Sequence, residues 1–353
     1  MLIVRFLVGA MFMLAIPAAA GDIAGATAER TSPTSITIRW QGSDPVDVYV
    51  SDSADAGINT ATLVSRADTD GHETIVTGHL GRRYVLLHDQ RSKQIRRVAE
   101  RLLPLEQGSN FRDIGGYATD DGRHVRWGRL YRSGGQPMLT EHDVVQIRSL
   151  GLRNLVDLRS NEERRLAPSR IDGVPYNAIG YSMLSMSPSL KNGAGSMQNG
   201  STLYHNFPVS LAPQLRLIFD RLLANDMPLA YNCSAGQDRT GFVTAMIMAA
   251  LGVPRETITL DYHLSTALRR PEFEMTKIDP ALAASDPVAG MFARYQQPSA
   301  SKPTPLKEAD GTAFLDGAYA EIEQRWGSVD AYLEKEAGLD PVERALLRSR
   351  YLE

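Results

Sequence analysis

The segment from Pro228 to Leu251 constrains the fold more than any other part of this 353-residue chain. Pro228–Asn232 reads as a short buried strand and Thr240–Leu251 as an apolar helix. Between them lies Cys233-Ser234-Ala235-Gly236-Gln237-Asp238-Arg239. A strand that delivers a loop into a helix N-terminus is the repeating unit of α/β folds, which place ligands at the carboxyl ends of their strands. Small side chains and one glycine let this loop curl with its N–H groups inward. The following helix aims its positive end at the same centre, which makes a preformed anion cradle.

The rest of the chain beyond about residue 105 fits that unit. Leu103-Pro104 and Gln107-Gly108-Ser109 mark a boundary, after which helices alternate with short apolar strands. Thr140-Glu141-His142-Asp143 has the form of a helix start, with Val144, Ile147 and Leu150 on one face and Gly151 as the stop. Leu152–Leu158 reads as a buried strand, Asn161-Glu162-Glu163 opens a helix, Pro213–Leu223 is helical, and Pro254 stands first in the next helix. Asp340-Pro341-Val342-Glu343 caps the last one, with proline where its missing N–H does no harm. Residues 105–353 are therefore expected to form an α/β domain, a mostly parallel central sheet with helices on both faces. Residues 182–201 read as a long loop, with Met183, Met186 and Met197 as mobile filler.

Residues 22–103 read as all-β. Ile36, Ile38 and Trp40 alternate with polar residues, as do Val46, Val48 and Val50. Further strands are expected near 61–66, 73–77, 84–88 and 94–99, separated by Gly42-Ser43-Asp44-Pro45, Asp70-Gly71, Gly78 and Gly81. About seven short strands suggest a small β-sandwich resembling a fibronectin-type-III module, a spacer or packing domain without chemistry of its own. Ahead of it, Phe6–Ile16 is an apolar run followed by Pro17-Ala18-Ala19-Ala20, an A-x-A cleavage pattern. Residues 1–20 are expected to be a cleaved signal peptide, which would export the chain to the periplasm or the medium.

A net charge of -3 and a pI near 6.2, with basic residues spread along the chain, argue against a nucleic-acid partner. The single cysteine cannot form an internal disulfide. Seven scattered histidines, with no H-E-x-x-H pattern and no second cysteine, give no reason to expect a metal or another cofactor.

Cys233 is then either an inert core thiol or a reactive one. A thiol beside a helix N-terminus and an arginine is favoured as a thiolate. Arg239 offers a planar fork matched to two phosphate oxygens, with a better grip on the trigonal-bipyramidal transition state. Ser234, Ala235, Gly236, Gln237, Asp238, Arg239 and Thr240 would bind the phosphate. Attack by sulfur on phosphorus would give a phosphocysteine that water hydrolyses. Thr240 could donate a hydrogen bond to the sulfur as it leaves.

The loop resembles the cysteine-dependent tyrosine-phosphatase superfamily, which carries C-x5-R. More closely, it is similar to a bacterial family of tyrosine and phosphoinositide phosphatases with the loop Cys-Xaa-Ala-Gly-Lys-Asp-Arg-Thr-Gly. Asn110-Phe111-Arg112-Asp113-Ile114-Gly115-Gly116-Tyr117, Leu130-Tyr131-Arg132-Ser133, Val156-Asp157-Leu158-Arg159 and Gly327-Ser328-Val329-Asp330-Ala331-Tyr332-Leu333 extend the likeness, in order, across residues 105–353. The resemblance implies a tyrosine-phosphatase-like fold and a phosphorylated protein or peptide as substrate. In that family a segment corresponding to residues 261–302 covers the site as a helical lid. Two departures stand out: Asn232 where histidine is frequent, and Gln237 where lysine is usual. Loss of that lysine shifts the expectation from a polyanionic inositol head group toward phosphotyrosine.

Residues 177–219 contain no aspartate or glutamate, which leaves Asp238 as the best general acid, ahead of Asp220 and Asp226; the resemblance implies the same assignment. The competing role for Asp238 is structural, as an acceptor of loop N–H bonds. Asn110–Tyr117 reads as a Gly-Gly turn with an Arg112/Asp113 brace, and Asp157 with Arg159 as a buttressing ion pair. The rival functions are a phosphoinositide or inositol-phosphate phosphatase on the same fold and a catalytically silent phosphate-binding module. A sulfurtransferase or arsenate reductase fits less well without a second redox cysteine.

Overall fold

A computed structural model of the protein describes residues 23–77, 81–186, 200–297 and 302–353. The expected signal segment, Gly78, Met197 and the Met186 side chain lie outside the described residues. The chain divides into two compact units after Glu100.

Among the described residues the first unit contains seven strands: β1 (Ala24–Ser32), β2 (Ser35–Gln41), β3 (Val46–Ser51), β4 (Thr62–Asp68), β5 (His72–Val76), β6 (Tyr84–Asp89) and β7 (Ile95–Ala99). They form a three-stranded sheet, β1-β2-β5, and a four-stranded one, β4-β3-β6-β7, all antiparallel. Ile36, Ile38 and Trp40 of the first sheet pack against Val46, Val48, Val85, Leu87 and Val98 of the second. The alternation in β2 and β3 puts one apolar row inward on each sheet, which is what two packed sheets need. This is the fibronectin-III-like sandwich.

The second unit is built on a five-stranded sheet of order β11-β10-β12-β9-β8, from β8 (Arg112–Asp113), β9 (Leu130–Ser133), β10 (Asn154–Asp157), β11 (Tyr176–Asn177) and β12 (Leu229–Asn232). Four strands are parallel; only β8 runs antiparallel, against β9. β9, β10 and β12 are wholly buried, as strands covered on both faces must be. On one face Phe219, Phe242, Met246 and Tyr332 pack with Val156 and Tyr231. On the other, Phe111, Val144 and Ile147 pack with Leu155 and Ala230.

The helices are α1 (Glu141–Ser149), α2 (Asn161–Leu166), α3 (Met183–Met186), α4 (Ser201–Tyr204), α5 (Phe207–Ser210), α6 (Ala212–Leu223), α7 (Arg239–Leu251), α8 (Arg255–Leu268), α9 (Pro280–Ser285), α10 (Pro287–Tyr295), α11 (Leu315–Trp326), α12 (Val329–Ala337) and α13 (Pro341–Tyr351). Thr140, Ser160 and Asp340 close α1, α2 and α13 with full capping boxes.

Two expectations change. Met183 is buried against Val288 and Met291, so it is core and not loop filler. Pro254 is the N-cap of α8; the first helical residue is Arg255. Residues 261–268 complete α8, with Asp261 and Ser265 buried. The rest of the expected lid segment contributes α9, which packs on α10, and α10, which packs on α2 through Leu166, Ala289 and Phe292.

Candidate active site

The loop Cys233–Asp238 leaves the carboxyl end of β12 and enters α7. Cys233 is 2% exposed. Gly236 takes φ +67°, and a Cβ there would lie 2.5 Å from the Ser133 carbonyl oxygen and the Gly134 nitrogen. Both the left-handed backbone and the missing side chain require glycine.

The carbonyls of the loop are tied outward. Asn110 Nδ2 donates to Gly236 O at 2.9 Å and Ala235 O at 3.2 Å, Arg132 Nη2 donates to Gly236 O at 2.8 Å, and Gly135 N donates to Ser234 O at 2.8 Å. Asn232 Nδ2 reaches Cys233 O at 3.3 Å, as expected of the residue that stands in the histidine position. Among the described residues, no acceptor takes the N–H groups of Ser234, Ala235, Gly236, Gln237 or Asp238. With carbonyls held from behind and amides unspent, the loop is a ready anion nest at a helix N-terminus.

Behind the nest lies a buried charge cluster. Asp261 on α8 accepts from Arg112 Nε at 3.1 Å, Arg132 Nη1 at 2.6 Å and Tyr117 OH at 3.0 Å. Burial alone would raise its carboxyl; the Arg112 and Arg132 guanidinia hold it well below the usual carboxylate range. Burial and the neighbouring Arg132 charge lower Arg112. Two guanidinia against one carboxylate leave an excess of positive charge beneath an anion site. Arg112 also donates to Asn110 Oδ1, which orients the amide that holds the loop. The expected Arg112/Asp113 brace is therefore split. Asp113 alone steadies the Gly-Gly turn, accepting from Gly115 N and Gly128 N, both at 2.7 Å. Asp157 and Arg159 do pair, at 2.7 Å and fully buried.

Arg239 is held by Glu163. Its Nη1 and Nη2 donate to Glu163 Oε2 at 2.7 Å and Oε1 at 2.6 Å, and Nη1 also donates to Tyr181 OH at 2.7 Å. Burial works against the guanidinium charge, but Glu163 keeps it well above its ordinary value. Burial would likewise raise Glu163; Arg239, with bonds from Ser234 Oγ and the Ser160 backbone, pulls it down to about 2. Neither Arg239 Nε–H nor the second Nη2 hydrogen has a partner among the described residues, so one edge of the fork is left for an oxyanion. Ser234 Oγ donates to Glu163 Oε1 at 2.5 Å. Thr240 Oγ1 is buried without a partner among the described residues.

Asp238 is the N-cap of α7 but makes no side-chain cap bond; its Oδ1 accepts from Tyr204 OH at 2.8 Å. The structural alternative of bracing loop N–H groups is not what the carboxylate does. Gln237 Oε1 accepts from Arg269 Nη1 at 2.7 Å, and Arg269 is itself held by Glu274.

Glu163, Asp261, Tyr204, Tyr181 and Arg269 were not singled out from sequence. Only Glu163 carried a local signal, the Ser160-x-x-Glu163 capping box.

A mostly parallel sheet with an anion nest at the end of a central strand, next to an arginine and a buried cysteine, suits the handling of phosphate. The chain belongs to the tyrosine phosphatase family, which residues 103–353 match. A Cupriavidus necator protein named as a tyrosine-protein phosphatase (H16_A0669) is 34% identical over 252 residues, covering 69% of this chain and 86% of its own. The triple specificity protein phosphatase PtpB of Mycobacterium tuberculosis is 28% identical over 267 residues, covering 65% and 91%. The crystal structure of P. aeruginosa TpbA is similar over 40% of this chain and 71% of its own, at 14% identity and a TM-score of 0.26, too slight a likeness to build on.

Buried carboxylates make the site acid-sensitive in a defined window. Glu163 and Asp261 have folded values below their ordinary ones, so each contributes stability above its unfolded value. That stability is lost as pH falls through the folded one. Urea midpoints should therefore fall between about pH 4.5 and 2. Glu163→Gln should cost about 3 kcal/mol at pH 7 and flatten that fall. Equal pH profiles for the two proteins would refute the pairing.

Proposed function

We propose that this enzyme hydrolyses phosphotyrosine-like monoesters through a phosphocysteine on Cys233, without metal, and that residues 1–20 direct its export to the periplasm or medium. The observation that carries the mechanism is the nest itself: among the described residues the five amide N–H groups that follow Cys233 have no acceptor, and one edge of Arg239 is uncommitted. The Cys233 thiolate attacks phosphorus in line, so that the S–P bond forms as the P–O ester bond breaks. Asp238 gives its proton to the departing oxygen. Water then attacks phosphorus, Asp238 takes up its proton, and the S–P bond breaks with the Thr240 hydroxyl available to the returning thiolate. The loop amides and the open edge of Arg239 follow the equatorial oxygens through both steps.

One observation favours a second reading, phosphoinositide hydrolysis. Gln237 replaces a lysine, but its side chain accepts from Arg269, so a cation stands beside the loop after all. The relative PtpB is named for triple specificity. Steady-state hydrolysis of p-nitrophenyl phosphate, a phosphotyrosine peptide and a phosphoinositide in chelator separates the readings. The peptide should give the highest kcat/KM. Asp238→Asn should lose about 10²- to 10³-fold on the peptide and far less on the nitrophenyl ester, whose leaving group needs no proton. Phosphate or vanadate binding without turnover of any substrate would leave only the binding-module reading.

A further inference from the structure

The acid Asp238 ends a chain of buried phenols that the reaction steps above do not use. Tyr204 OH donates to Asp238 Oδ1 at 2.8 Å, and Tyr262 OH donates to the Tyr204 oxygen at 2.7 Å. Each tyrosine is 1% exposed. The Tyr204 ring is fixed by Phe207 at 4.7 Å, by Tyr262 edge-on at 5.9 Å and by Phe314 at 6.3 Å. Gly241, on the first turn of α7, leaves room for Tyr262: a Cβ there would meet its ring at 2.9 Å. Because Tyr262 occupies the Tyr204 oxygen as a donor, the Tyr204 hydrogen is directed at Asp238. Burial first, and then the Asp238 charge, push both phenols well above their ordinary values, so both stay donors throughout the neutral range. Arg269 and the adjacent Arg239 are the charged side chains beside Asp238 among the described residues, and Asp316 lies near Tyr262.

We infer that Tyr204 and Tyr262 are positioning residues for proton transfer: they pin Asp238 Oδ1 so that Oδ2 faces the leaving oxygen in the first step and the water in the second. The inference rests on Asp238 being the acid. A carboxyl that rotates freely presents its proton in a productive direction only part of the time, whereas one held by a rigid donor is pre-oriented. The plain alternative is that two buried phenols merely satisfy each other and the nearest acceptor. Such a role would affect folding and not the dependence on leaving group.

The test measures kcat/KM of the full chain on phenyl phosphate, a poor leaving group, and p-nitrophenyl phosphate, a good one. Tyr204→Phe should lose about 10-fold on phenyl phosphate and at most about 2-fold on the nitrophenyl ester. Vanadate inhibition should be retained. Tyr262→Phe should show a smaller loss in the same sense, and gives a second reading should Tyr204→Phe fold poorly. In the Asp238→Asn background, Tyr204→Phe should add no further loss, since it acts through that carboxyl. Equal losses on both substrates, or an undiminished loss in the Asp238→Asn background, would overturn the relay. Asp238→Asn alone reports on the acid assignment. If that single variant is insensitive to leaving group, the assignment falls and the relay with it, an outcome distinct from failure of the tyrosines alone.

Discussion

Cys233→Ser will lower kcat/KM for a phosphotyrosine peptide by about 10⁴- to 10⁶-fold while peptide binding survives. The hydroxyl of serine is far less ionised and far less nucleophilic near neutral pH than a thiol in an anion nest, so the first displacement has no attacking group. Binding survives because it depends on other atoms. The carbonyls of Ser234, Ala235 and Gly236 are held by Gly135, Asn110 and Arg132 from behind, which leaves the loop amides for the ligand, and Arg239 is held by Glu163 and Tyr181. None of these contacts involves the sulfur. Kinetics on the variant beside calorimetric titration with the peptide check both halves. More than about one-tenth of wild-type activity would mean that another group attacks phosphorus.

Arg239→Lys will cost about 10²- to 10³-fold in kcat/KM, most of it in kcat. In the proposed mechanism Arg239 serves two anions at once: it gives two N–H groups to the Glu163 carboxylate at 2.6 and 2.7 Å and keeps another edge for the phosphoryl oxygens. A lysine ammonium is a single point charge without that fork. It must choose between a buried carboxylate and the substrate, and the carboxylate is always present. The loss falls in the transition state because two parallel bonds to equatorial oxygens strengthen as phosphorus becomes pentacoordinate. Steady-state constants for both variants on one peptide decide the matter. A loss below about 10-fold would show that the loop amides alone carry the oxyanion.

Where the chemistry is local in sequence, it was legible. The strand, loop and helix from Leu229 to Leu251 are contiguous, so the apolar strand, the glycine and the spacing of Cys233 from Arg239 all appear within one window. The sandwich was legible through the alternation in β2 and β3. In β1 the register shifts between Ala24 and Thr27 and again between Arg30 and Ser32, which breaks the period and hides the strand. The two-residue strands β8 and β11 are too short for any period. What stayed hidden are partners that the fold brings from afar. Glu163 read only as part of a helix start, but one carboxylate both caps α2 and grips Arg239, and a helix-start pattern reports nothing of the second task. Asp261 looks like one more polar residue on α8 until Arg112 and Arg132 arrive from neighbouring strands. Gln237 read as a lost positive charge, yet its amide recruits Arg269 from the end of α8. That arginine arrives already paired with Glu274, an arrangement of the packed loop that neither residue shows alone.

The proposed mechanism turns on a covalent bond between Cys233 and phosphorus. Asp238→Asn turning over p-nitrophenyl phosphate isolates it, since the good leaving group keeps the first step fast while the water step loses its base. Stopping that reaction in denaturant after a few turnovers and mapping the peptides by mass spectrometry reads the bond directly. A phosphocysteine intermediate gives one phosphoryl group on the peptide carrying Cys233, together with a burst of about one nitrophenolate per enzyme. Steady turnover with that peptide unmodified and no burst would contradict it.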